Sequence, residues 1–122
     1  MEITPAALTK YRDTAHRRAR EDDARRDALR QRAWAVAAAA AGVLRDEFGA
    51  SDVFAFGSLA RGGPFDEHSD VDIAARGVAE EAYFRAVARL LALDPQIPVD
   101  LVRIEDASPT FREAIEAEAS PL

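Results

Sequence analysis

Apolar and polar positions along the chain fall into segments with different periods. Thr4-Pro5 is a helix start, Thr as N-cap and Pro at the first helical position, and a helical pattern continues from there to Phe48, where Gly49 ends it. Its first part, Lys10 to Arg32, holds few large apolar residues, Tyr11 and Leu29 being nearly alone. Such a stretch cannot bury a broad face in its own domain; it is expected to be solvated, paired with another chain, or partly frayed. Asp22 with Arg26, and Asp23 with Arg26, are spaced to support it locally. From Ala33 the helix turns alanine-rich, and Val36, Ala40, Val43, Leu44 and Phe48 make a stripe that can pack on a sheet.

Beyond Gly49 the period shortens. A strand is expected near Asp52 to Phe56, then a Gly57-Ser58 turn and a loop through Gly62-Gly63-Pro64 to Ser69. In Ser69-Asp70-Val71-Asp72-Ile73 acids alternate with apolar residues, which predicts a second strand with Val71 and Ile73 toward the core. Gly77 breaks it. A helix follows from about Ala79 to Leu93, with Tyr83 or Phe84, Val87, Leu90 and Leu91 at helical spacing, and Asp94-Pro95 ends it. Pro98 to Val102 predicts a third strand, and Ser108-Pro109 caps a short helix with Phe111 and Ile115 on one side. The expected fold is α/β: a three-stranded mixed sheet flanked by helices, with a long N-terminal helix. Residues 1–32 are expected to form an arginine-rich arm and 33–122 the folded domain.

Composition narrows the setting. A chain of 122 residues fits one modest core. Cysteine is absent, which excludes disulfides, thiolate metal sites and thiol catalysis. There is no apolar run of about 20 residues and no basic-then-apolar leader, so a soluble, cytoplasmic protein is expected. The net charge of −6 argues against direct nucleic-acid binding by the whole chain. Lys10 to Arg32 carries nine basic residues against five acids, a local +4, which leaves −10 for the remainder. The arm's interspersed acids and lack of interleaved aromatics favour a solvated or protein-pairing helix over an RNA-contacting one.

Candidate chemistry gathers in three places. At Gly57-Ser58 a backbone without a Cβ and an adjacent hydroxyl can approach a phosphate. Asp70 and Asp72, two apart on a strand, project to one side and suit a hard cation such as Mg²⁺ held together with substrate phosphates. Asp100 sits among aliphatic residues on the third strand, where an acid is disfavoured unless it is used. Three converging acids imply cations or an acid/base role. A calcium-loop alternative, with Glu81 twelfth from Asp70, fails because Ala74 and Ala75 stand where a ligand and a turning glycine are needed. His68, a lone loop histidine, reads as polar surface; Tyr11, His16 and Trp34 read as packing or partner contacts.

Gly57-Ser58, then Asp70-x-Asp72, then Asp100 resembles the signature of the polymerase beta-like nucleotidyltransferase superfamily. Gly57-Ser58-Leu59-Ala60-Arg61-Gly62 and Ser69-Asp70-Val71-Asp72-Ile73-Ala74 bring it close to the minimal nucleotidyltransferases, the MNT antitoxins paired with HEPN-type toxins. Eleven residues, Leu59 to Ser69, separate Ser58 from Asp70, one more than the spacing associated with the minimal members. The resemblance implies ATP as substrate, two Mg²⁺ ions on Asp70, Asp72 and Asp100, leaving phosphates on Gly57 and Ser58, and Arg61 over the triphosphate. It implies transfer of AMP to a hydroxyl of a HEPN ribonuclease toxin. The alternatives are an antitoxin that masks its partner without catalysis and a transferase for a small molecule such as an aminoglycoside. A homo-oligomer through the N-terminal helix is left open.

Overall fold

The computed structural model describes residues 3–122. Helix α1 runs over Pro5–Phe48, about 66 Å of helix at 1.5 Å per residue. Thr4 caps it by accepting a hydrogen bond from the Ala7 N–H, and Gly49, at φ 72°, closes it in the left-handed conformation. Among the described residues, none before Ala33 belongs to the core. From there Ala33, Val36, Ala37, Ala40, Ala41 and Leu44 are buried, with Val43 and Phe48 partly so. Alanines thus form much of the contact, letting the helix lie close on the sheet.

The sheet has four strands in the order β3-β2-β1-β4: β1 Asp52–Phe56, β2 Val71–Arg76, β3 Val99–Arg103 and β4 Ser120–Pro121. β1 runs antiparallel to β2 and to β4, while β2 and β3 are parallel, so the sheet is mixed as expected. The expectation of three strands is corrected by β4. Two residues, one of them proline, carry no strand periodicity, and proline is tolerated there because β4 lies at the edge. The Leu122 N–H donates to the Val53 carbonyl and extends the pairing.

Between the strands lie α2, Gly57–Arg61, and α3, Tyr83–Leu91, the latter preceded by a 3-10 turn at Glu80–Ala82. A second 3-10 turn, Ile104–Asp106, leads to α4, Pro109–Glu118, capped by the Ser108 hydroxyl. α1 and α3 cover one face of the sheet, burying Val53, Ala55, Val71, Ile73, Ala75, Val99 and Leu101. α4 takes the other, where Ile115 packs with Ala74, Ile104, Phe54 and Phe56. In α3 it is Tyr83 and not Phe84 that packs inward; its hydroxyl donates to the Leu101 carbonyl at 2.7 Å, while Phe84 is 83% exposed. Leu91 also faces out, and Ala86 fills the core position instead.

α1 is tied to the domain by ion pairs, Arg32 to Asp94 and Arg89 to Glu47. On the arm, Asp23 pairs with Arg26 as the spacing suggests, but Asp22 pairs with Arg25 three residues on, and not with Arg26.

Candidate active site

The two-residue period of the strands sorts the functional side chains from the core. Val71 and Ile73 are buried against α1, so Asp72 and Ala74 face the α4 side. On β3 the same alternation buries Val99 and Leu101 and leaves Asp100 exposed on that face. In the parallel register Asp72 lies beside Asp100, on strands about 4.8 Å apart. Asp70 is exposed just before β2. α4 covers only part of this face, and the acids stand beyond its cover.

β1 delivers the other half. Its last residue, Phe56, is the cross-strand neighbour of Asp72. Gly57 and Ser58 do not form an isolated turn; they open the single-turn helix α2, whose last residue is Arg61. Gly57 has φ +71°, and a Cβ there would meet the Asp72 Oδ2 at 2.2 Å. The left-handed backbone favours glycine here, and a side chain would displace the Asp72 carboxylate from its present position. Leu59, buried between α2 and the main core, anchors the helix.

The electrostatics follow from this packing. Burial pushes the Asp72 carboxyl above its ordinary value, the neighbouring Asp100 and Asp70 charges push the same way, and Arg61 partly offsets them. Negative potential thus concentrates at Asp72, the least exposed of the three acids. Among the described residues no three His, Cys, Asp or Glu side chains gather closely enough to cage a metal ion.

The loop after α2 is fastened at several points. Phe65 is buried in the main core, the Arg30 guanidinium donates to the Gly63 carbonyl, and Asp66 accepts from the His68 N–H. His68 itself is exposed and lines a cleft with Asp22, Arg25, Arg26 and Leu29 of α1. The strand placement of Val71 and Ile73 leaves no calcium loop at Asp70.

The comparisons bear on this arrangement. The family model "Polymerase beta, Nucleotidyltransferase" matches residues 41–122. The chain belongs to the polymerase beta nucleotidyltransferase family. A solved structure described as a minimal nucleotidyltransferase shares 33% identity over 79% of this chain and 94% of its own, with a TM-score of 0.58. A toxin-antitoxin crystal structure with AMP-PNP is 24% identical over 66% of each chain, TM-score 0.57. A MntA-HpeT toxin-antitoxin mutant is 26% identical over the same shares, TM-score 0.56. This chain therefore spans just under two thirds of the length of those toxin-antitoxin chains. No curated protein matches it. The family match spans the sheet and only the last turns of α1; no helix among the described residues is long and apolar enough to cross a membrane.

One feature of the site escaped the pattern of the sequence. A cleft of about 220 Å³ adjoins it, lined by Phe56, Gly57 and Arg61 on one side and by Phe111, Ala114, Ile115 and Glu118 of α4 on the other. Phe111 meets Phe56 edge to face, ring centroids 5.7 Å apart, and stays 38% exposed. The helical spacing of Phe111 and Ile115 marks their shared side, but only the tertiary fold brings that side to the Gly57 end of β1.

Proposed function

We propose that the chain is an MNT-type antitoxin which transfers AMP from ATP to a hydroxyl of a HEPN-type toxin, silencing it. The observation that carries the reading is the convergence of Asp72 and Asp100 on one sheet face, with Asp70 beside them and Gly57 packed against Asp72. The likeness to toxin-antitoxin structures, one of them with AMP-PNP, supports both partner and nucleotide.

In the proposed reaction the acceptor oxygen bonds to the α-phosphorus of ATP, the bond from that phosphorus to the β-phosphate oxygen breaks, and pyrophosphate leaves. Gly57 and Ser58 lie against the leaving phosphates: the missing Cβ permits close approach and the hydroxyl donates a hydrogen bond. Arg61, already offsetting the charge on Asp72, balances the triphosphate. Asp100, the exposed acid of β3, takes the acceptor proton. Asp70, Asp72 and Asp100 would hold Mg²⁺, two ions in the full site. The donor set fits, being all carboxylate oxygen with a concentrated negative potential. Bound there, Mg²⁺ supplies charge stabilisation to the entering and departing oxygens.

In this reading the partner supplies the acceptor hydroxyl. Asp100→Ala is expected to abolish transfer with a smaller effect on ATP binding. The deciding assay incubates the protein with α-labelled ATP, Mg²⁺ and the product of the neighbouring gene. Label on that product supports the proposal, and inhibition of the product without label supports masking. Label only on an added aminoglycoside supports the small-molecule alternative.

A further inference from the structure

The cleft beside Phe56 shares a wall with the reaction site, and its position restricts what can enter it. β1 lies on one side of β2 and β3 on the other, so Asp72 separates the cleft from Asp100. In-line displacement places the entering acceptor opposite the leaving pyrophosphate. On the proposed function, on which this inference rests, pyrophosphate lies over Gly57-Ser58 and the acceptor approaches from Asp100. Gly57 and Arg61 belong to the cleft wall as well. The cleft is thus on the nucleotide's side of the centre.

Its size and lining define which part of the nucleotide it takes. About 220 Å³ is below the roughly 300–1,000 Å³ of pockets that enclose a whole drug-sized ligand. The walls are aromatic and aliphatic, from Phe56, Phe111, Ala114 and Ile115, and the polar groups Arg61 and Glu118 stand among them. A flat, apolar-faced group with polar edges fits such a lining: rings stack or meet edge-on with phenylalanine, and a carboxylate accepts from an exocyclic amine. Phe111 is held edge-on to Phe56 yet keeps more than a third of its surface open, leaving ring surface for a further partner.

We propose that the cleft between α4 and the end of β1 is the base subsite, seating the purine of the nucleotide against the open surface of the Phe111 ring with Glu118 at its amino edge. α4 is then the element that reads the nucleotide, while the β2 and β3 acids act on its α-phosphate.

The test compares ATP with inorganic tripolyphosphate, which has the phosphates and no base, by calorimetric titration of the full chain in Mg²⁺. Two variants are used: Ala114→Trp, which fills the cleft from an exposed position, and Phe111→Ala, which removes a ring the core does not enclose. Each is expected to weaken ATP about ten-fold or more and to leave tripolyphosphate within about two-fold of the parent. UTP should bind the parent more weakly than ATP. Equal losses for ATP and tripolyphosphate, unchanged ATP binding in both variants, or UTP binding as tightly as ATP would each overturn the subsite while leaving the transfer reaction intact. A parent protein that binds neither ATP nor tripolyphosphate would overturn both.

Discussion

Gly57 and Asp72 constrain each other at the centre of the site. A side chain at 57 would have to occupy the space of the Asp72 carboxylate while holding φ +71°, a conformation L-residues adopt at a cost of about 1–2 kcal/mol. Gly57→Ala is therefore expected to lower the thermal midpoint by several degrees and to reduce transfer about 100-fold or more, as measured by unfolding scans and label incorporation. Asp72 gives a prediction of the opposite sign. Its pKa is raised by burial, then by Asp100 and Asp70, so the folded chain holds that proton more tightly than the unfolded one. The resulting contribution to stability is fully present below the ordinary Asp value of about 4 and is lost as pH rises through the raised folded value. At neutral pH the ionised group opposes folding. Asp72→Asn should raise the metal-free midpoint at pH 7 by a few degrees, the gap closing as pH falls below about 4, while transfer is lost. Added Mg²⁺ should stabilise the parent and have little effect on the variant.

At the scale of elements, the two parts of α1 should respond differently to the same substitution. Leu44 is fully buried against the sheet, and Leu44→Ala is expected to cost about 2–5 kcal/mol by urea unfolding. Leu8, in the arm and 45% exposed, should cost less than about 0.5 kcal/mol when changed to alanine. These elements were largely legible in the chain. Thr4 and Gly49 bound the long helix because capping chemistry is local, and the alternation at Val71 and Ile73 oriented the acids because a strand has a fixed period. What was hidden depended on contacts remote in sequence. β4 is two residues long and exists because the β1 edge is there to pair with. Phe65 sits in a polar loop with no periodicity around it, yet the core takes it. Phe84 and Tyr83 are adjacent aromatics, and only the Leu101 carbonyl decides that Tyr83 turns inward. At the site, the two-residue period placed Asp72 and Asp100 on neighbouring strands, whereas the cleft needed α4 and β1 to meet.

As a whole molecule, the chain couples a domain of net negative charge to a helix whose N-terminal part is basic and largely uncovered. Such an arm, with no buried residue before Ala33 among the described residues, adds little to the stability of its own domain. Charge-reversing substitutions at Arg17 and Arg18 are expected to leave the thermal midpoint within about a degree or two and to weaken partner capture at low salt. Nucleotidyl transfer itself is read from the fate of the label. With Mg²⁺ and the neighbouring gene product, α-labelled ATP should label that product and release pyrophosphate in equal amount. γ-Labelled ATP should leave the product unlabelled, and Asp100→Ala should abolish both signals. Transfer of the γ-label, or label incorporation that survives Asp100→Ala at the parent rate, would contradict it.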